Sequence, residues 1–149
     1  MRIMATSAVA STVLLICSYA PAARLTESST ALAILQVKAD QAPLRDRCYL
    51  YAELVSRMTD LAGRQFNSGD SEEASETLML VQRYAEKIHM DISEDSKKLK
   101  SAELLIQRTT FRLKDMLHDV SYKDQMTVAV TLKQLNQIQA HLMLQVFAK

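Results

Sequence analysis

The chain has 149 residues, a length for one domain, with 18 basic and 17 acidic residues interspersed along it. That balance excludes the basic excess by which proteins hold nucleic acid. Two cysteines and two glycines also exclude a disulfide framework and a glycine-rich phosphate cradle.

The start, MRIMATSAVASTVLLICSYAPAARL, predicts a signal peptide over residues 1–22. Arg2 is a short basic n-region, Ala8 to Tyr19 an apolar stretch, and Ala20-Pro21-Ala22 a small-x-small cleavage site. The apolar stretch is shorter than the roughly 20 residues needed to span a bilayer. The expected location is therefore periplasmic or secreted, with no stable membrane span after cleavage; the other reading is a retained anchor. Removal of this segment discards Cys17 and leaves Cys48 alone. A single cysteine in an oxidising compartment is either a buried thiol or an intermolecular disulfide.

Residues 23–43 form a short lead segment in which SSTALAILQVKADQ, residues 28–41, predicts a helix. Pro43 ends it by disfavouring a helical Ala42. Residues 44–149 form the bundle domain. Over 44–65 the apolar positions Leu44, Cys48, Tyr51, Val55, Met58 and Ala62 step by four and three, which predicts a helix near 44–67. Asn67-Ser68-Gly69-Asp70 is a turn, with Asp70 or Ser71 as the next cap and Glu72 and Glu73 suited to a helix N-terminus.

Beyond Asp70 neither glycine nor proline occurs. Ala74, Leu78, Val81, Ala85, Ile88 and Ile92 continue in phase through Asp95 to Leu99, Ala102, Ile106, Thr109, Leu113 and Met116. A loop would normally reset that register, so the phase predicts one continuous helix near 71–119, about 75 Å long. The competing feature is Ser93, which could cap a new helix. The alternative architecture is then an up-down four-helix bundle. DVSYK at 119–123, with Ser121 as cap, separates a last helix near 122–147 on Val128, Leu132, Leu135, Gln139, Leu142 and Val146. The fold class is all-α: an elongated antiparallel helical bundle around one long central helix.

Glu86-x-x-His89 has the spacing by which one helix face presents two metal ligands, and Asp115-x-x-His118 repeats it. With Ala85 and Ile88 on the seam, however, Glu86 and His89 diverge from the core, as do Glu53 and His118. A metal site on Glu86 and His89 is the minor reading; surface histidines are the major one. Cys48 lies on a seam, where a small thiol packs as a hydrophobe. No Gly-x-Ser-x-Gly, His-Glu-x-x-His or Cys-x-x-Cys occurs, so neither catalysis nor a cofactor is expected.

RCYLYAELVSRMTDLAGRQFNSGDSEEASETL, with QRYAEKIH and LKQLNQIQ later, resembles a set of uncharacterised exported helical proteins of acidobacteria over most of the chain. That resemblance implies export and a helical fold and carries no function. The general design is similar to periplasmic chaperones and metal-stress sensors of the Spy and CpxP type. Their Leu-Thr-x-x-Gln motif is not met, because Leu25-Thr26 is followed by Ser29 in the glutamine position. The functional expectation is an exported interaction or scaffold protein that binds itself or another helical protein. Its expected interaction seam comprises Asp95, Leu99 and Ile106. The alternative is a periplasmic metal-responsive sensor or chaperone-like protein.

Overall fold

The computed structural model describes residues 21–93 and 96–148, and among them helix is the only regular secondary structure. Five helices follow in order: α1 (Pro21–Gln41), α2 (Leu44–Ser68), α3 (Ser71–Asp91), α4 (Leu99–Asp119) and α5 (Tyr122–Phe147). Helices α2 and α5 each pack on both α3 and α4, so α3 and α4 face each other across a diagonal. Helix α1 packs on α2, outside this four-helix arrangement. The predicted leader falls outside the described residues, save Pro21 and Ala22, with which α1 begins.

Side-chain partners fix the directions. Thr77 donates to Gln65, and Tyr51 stacks on Tyr84, so α2 and α3 run antiparallel. Arg112 pairs with Asp60 while the backbone N–H of Lys97 donates to Arg45, so α2 and α4 run parallel. The core is built on the predicted seams: Val55 from α2, Leu78 and Ile88 from α3, Ile106 and Leu113 from α4, Leu135 and Leu142 from α5. On α2, Leu54 beside the seam is buried too, and Leu44 at its start is exposed. Polar seam positions are made harmless locally. Thr59, Thr109 and Thr131 are fully buried, and each hydroxyl donates to the carbonyl four residues earlier at 2.7–2.9 Å. The α5 seam is rotated from its expected line: Thr131 and Ile138 are buried, whereas Leu132 and Gln139 are half-buried.

The turn between α2 and α3 obeys the sequence. Gly69 takes φ 86°, and the N–H groups of Gly69 and Asp70 bond the carbonyls of Phe66 and Gln65. That is the Schellman pattern, in which a left-handed residue lets the chain satisfy the last carbonyls of the helix.

The continuous helix near 71–119 is not formed. Helices α2 to α5 pack as a four-helix bundle, as the alternative expected, but with α2 beside a parallel α4 and with α3 joined to α4 across the diagonal instead of in plain up-down order. Two serines do the work of the missing glycine. Ser96 is buried, and its hydroxyl accepts the N–H of Ser93 at 3.1 Å and donates to the carbonyl of Asp91 at 3.3 Å. The backbone N–H of Lys97 then docks on the carbonyl of Arg45 at 2.8 Å, tying the connection to the start of α2. Lys98 enters α4 from the left-handed region with φ 57°, and its ammonium lies 4.7 Å from the centre of the Tyr49 ring. The seven-residue step from Ile92 to Leu99 kept the phase because both helices must face one core, not because one helix joins them. Neighbouring helix axes lie 8–10 Å apart, so the diagonal is about 11–14 Å, which seven residues span easily.

Helix α1 is held by apolar contact and one polar clasp. Leu32, Leu35, Ala39 and Ala42 are buried. Asp40 accepts the Tyr51 hydroxyl at 2.6 Å and the Lys87 ammonium at 2.7 Å, which links α1 to α2 and α3. The Lys87 bond, then that of Tyr51, holds the Asp40 carboxyl below its ordinary range, and the same bond to Asp40 raises Lys87. A depressed carboxyl contributes stability above its unfolded pKa and loses it in acid, so this clasp weakens as the pH falls. Both side chains are more than a third exposed, which keeps the contribution small.

Replacing Ser96 with Ala should lower stability by about 1 kcal/mol, because it removes the hydroxyl that accepts the half-buried N–H of Ser93 and bonds the carbonyl of Asp91. Urea unfolding of the two proteins measures it, and an unchanged midpoint would show that the serine node does not hold the crossing.

Candidate interaction surface

The residues expected to meet a partner are largely consumed by the fold itself. Leu99 and Ile106 are buried in the chain's own core, packed among α2, α4 and α5 side chains. This corrects the seam expectation: once α3 and α4 separate, the helices that would have flanked a long rod cover both positions. Asp95 lies outside the described residues.

Cys48 is fully buried on α2. Burial pushes its thiol up to about 12, and the charge of Asp91 adds to the rise. A thiol held neutral and inaccessible can neither attack nor bridge two folded copies. The intermolecular disulfide is therefore corrected to a core thiol. Asp91 closes α3, and burial raises its carboxyl, while Arg47 and then Lys87 oppose that rise.

Glu86 and His89 do not converge on one point. The Glu86 carboxylate accepts the Gln134 amide at 3.3 Å, and His89 turns to His141 of α5, with Nδ1 to Nδ1 at 3.4 Å and ring centres 5.0 Å apart. Among the described residues no three His, Cys, Asp or Glu side chains gather as a metal set. His118 and Asp115 are exposed on α4, and Glu53 pairs with Arg57 on its own helix. The pairing of His89 with His141 had no local signal, since 52 residues separate them. A cleft beside α2 and α4 contains Asp60 and Arg112, but these pair at 2.7 Å and Arg112 also donates to Ser56. The charges of Asp60 and Arg112 are mutually satisfied.

Among the described residues, the longest regular series of exposed positions with apolar members lies on the outer face of α5. Its inner seam runs Asp124, Val128, Thr131, Leu135, Ile138 and Leu142, all buried. Two residues earlier at each step, about 200° around the helix, a second series steps by four and three through Tyr122, Met126, Ala129, Lys133, Asn136, Ala140, and on to Met143 and Phe147. Tyr122 is 91% exposed, Met126 73%, Met143 42% and Phe147 77%. Leu144, 70% exposed, flanks the series, and a shallow trough lined by Ala129, Lys133, Asn136 and Ala140 runs along its centre. Lys133 is the one charged residue in the series. An exposed apolar stripe of this length marks an association surface more often than single exposed side chains do.

Cys48 should resist a thiol reagent in the folded chain at pH 8 and react on unfolding in urea. Peptide mapping of the labelled protein locates the modification, and rapid native labelling of Cys48 would overturn its assignment to the core.

No helix of the described residues is long and apolar enough to cross a membrane. No family model, curated protein or solved structure matches this chain.

Proposed function

We propose that the chain is an exported helical interaction or scaffold protein that works by helix-on-helix association through the outer face of α5. The single observation that carries this reading is the second heptad series of α5 on the side opposite the core, with exposed Tyr122, Met126, Met143 and Phe147 toward its ends and Lys133 and Asn136 at its centre. A helix in a four-helix bundle needs one apolar stripe; a second, in the same register, is what a helix-in-groove or helix-pair contact requires. Export rests on the composition of residues 1–22.

A photo-crosslinking residue at Gln137, on the exposed side of α5, should give discrete adducts in cells, and one at Arg83, exposed on α3, should not. Equal labelling from both sites, or none from either, would remove the association reading.

A second reading, metal-dependent tightening of the bundle, is favoured by the His89–His141 pair. Zinc bonds imidazole nitrogen at about 2.0–2.1 Å, and two ligands at the tetrahedral angle then stand about 3.3–3.4 Å apart. The two Nδ1 atoms stand at 3.4 Å on separate helices, so an ion shared between them would clamp α3 to α5. This relocates the partner of His89 from Glu86 to His141. Zinc alone should raise the melting temperature of the wild type and leave His141→Ala unchanged. An equal response in both proteins, or no response in the wild type, would eliminate the clamp.

A further inference from the structure

The outer series of α5 reads nearly the same from either end. Outward from a point midway between Lys133 and Asn136, the residues are Lys133 and Asn136, Ala129 and Ala140, Met126 and Met143, then Tyr122 and Phe147. Polar meets polar, alanine meets alanine, methionine meets methionine and aromatic meets aromatic. A two-fold interface is isologous: residue i of one copy meets residue j of the other, and j meets i. An antiparallel pair of α5 helices with its dyad between Lys133 and Asn136 satisfies that condition at every step of the series.

We infer that the occupant of this face is a second copy of the chain, docked with its α5 antiparallel to the first. The inference rests on the association reading above and names its partner. Three further properties agree with it. The alanines lie on either side of the dyad, where small side chains let two helices approach along the trough that Ala129 and Ala140 line. Lys133 faces Asn136 of the second copy, so the pairing brings no like charges into direct opposition. The whole chain carries a formal net charge of +1, too little for two copies to repel each other at long range.

The extent of the surface sets the size class of the contact. Twenty-six residues make α5 about 39 Å long, and a helix with side chains is about 10–12 Å wide, so the face covers about 400–470 Å² on each copy. The total lies just below the ~1,000 Å² of an ordinary specific interface, and the flanking Val130 and Leu144 extend it. The dimer is therefore expected to be a weak one that forms and dissociates with concentration. Heterologous stacking into filaments is not expected, because the two-fold contact closes on itself.

Sedimentation equilibrium of the chain as purified from its host, under reductant, tests the register directly. Met126→Lys and Met143→Glu change exposed residues, so both variants should keep the wild-type melting temperature while each loses dimerisation at least ~30-fold. Mixed in equal amounts they should recover a dimer, because in the antiparallel register Lys at 126 meets Glu at 143 and the other end retains a methionine pair. A parallel pairing would set 126 against 126 and 143 against 143, and the mixture would then stay monomeric. Failure of the mixture to associate, or a dimer that survives Met126→Lys alone, overturns the inference. A wild-type chain that is monomeric well above 100 µM overturns it too. If the Gln137 adducts in cells then contain a different protein, association through α5 stands while the second copy falls.

Discussion

The crossing between α3 and α4 is the constraint on which the rest of this structure depends. Ser96 is buried beneath the end of α3, bonds back to the carbonyl of Asp91, and delivers Lys97 to the carbonyl of Arg45. With the helix broken there, the second half of the chain folds back across the diagonal and covers the first. Ser and Asp compete for backbone groups in non-helical conformations, which is the general reason such residues can end helices without glycine. The polar stretch is thus a stop made from hydroxyls. Had it remained helical, Leu99 and Ile106 would have continued a rod half-covered by its neighbours.

Much of the architecture was legible in the residues because amphipathic period is a local property. Leu78, Val81, Ala85 and Ile88 bury as their spacing demands, and Gly69 turns the chain where a left-handed residue is needed. The end of α5 at Phe147 follows from the same reading. The break between α3 and α4 was legible only as the competing reading that Ser93 offered, since an in-phase spacing of seven is equally compatible with a helix and with a loop between two core-facing helices. What separates them is a long-range bond, from Lys97 to Arg45, that no window of sequence contains. The pairing of His89 with His141 escaped for the same reason. Cys48 was legible as a core thiol from its seam position, and its burial makes the disulfide alternative physically inaccessible in the folded chain.

The candidate surface shows the opposite limit. Its residues are plainly visible in the sequence, yet the seam that attracted attention on α5 was the inner one, through Val128, Leu135 and Leu142. Two stripes at one period look like a single broad apolar helix until the core is known to take only one of them. Choosing which stripe is spent required the positions of α3 and α4. Once Thr131 and Ile138 are seen to face inward, Met126, Ala129, Ala140 and Met143 are left over as a set.

Exposed apolar residues on α3 and at Phe111 of α4 do not make the same case. Met79 and Met90 on α3 stand among glutamates, an arginine and a lysine, and Phe111 on α4 has the Lys114 ammonium 5.4 Å from its ring centre. Such side chains are the ordinary apolar share of a protein surface. On α5 the exposed series keeps register for the length of the helix, apolar on both sides of a polar centre at Lys133 and Asn136. Packing within the bundle cannot be the origin of that register, because the bundle is satisfied from the other side. The hydroxyl stop and the free stripe are therefore linked: by folding the chain into a closed four-helix core, Ser93 and Ser96 leave α5 with one face more than the fold consumes.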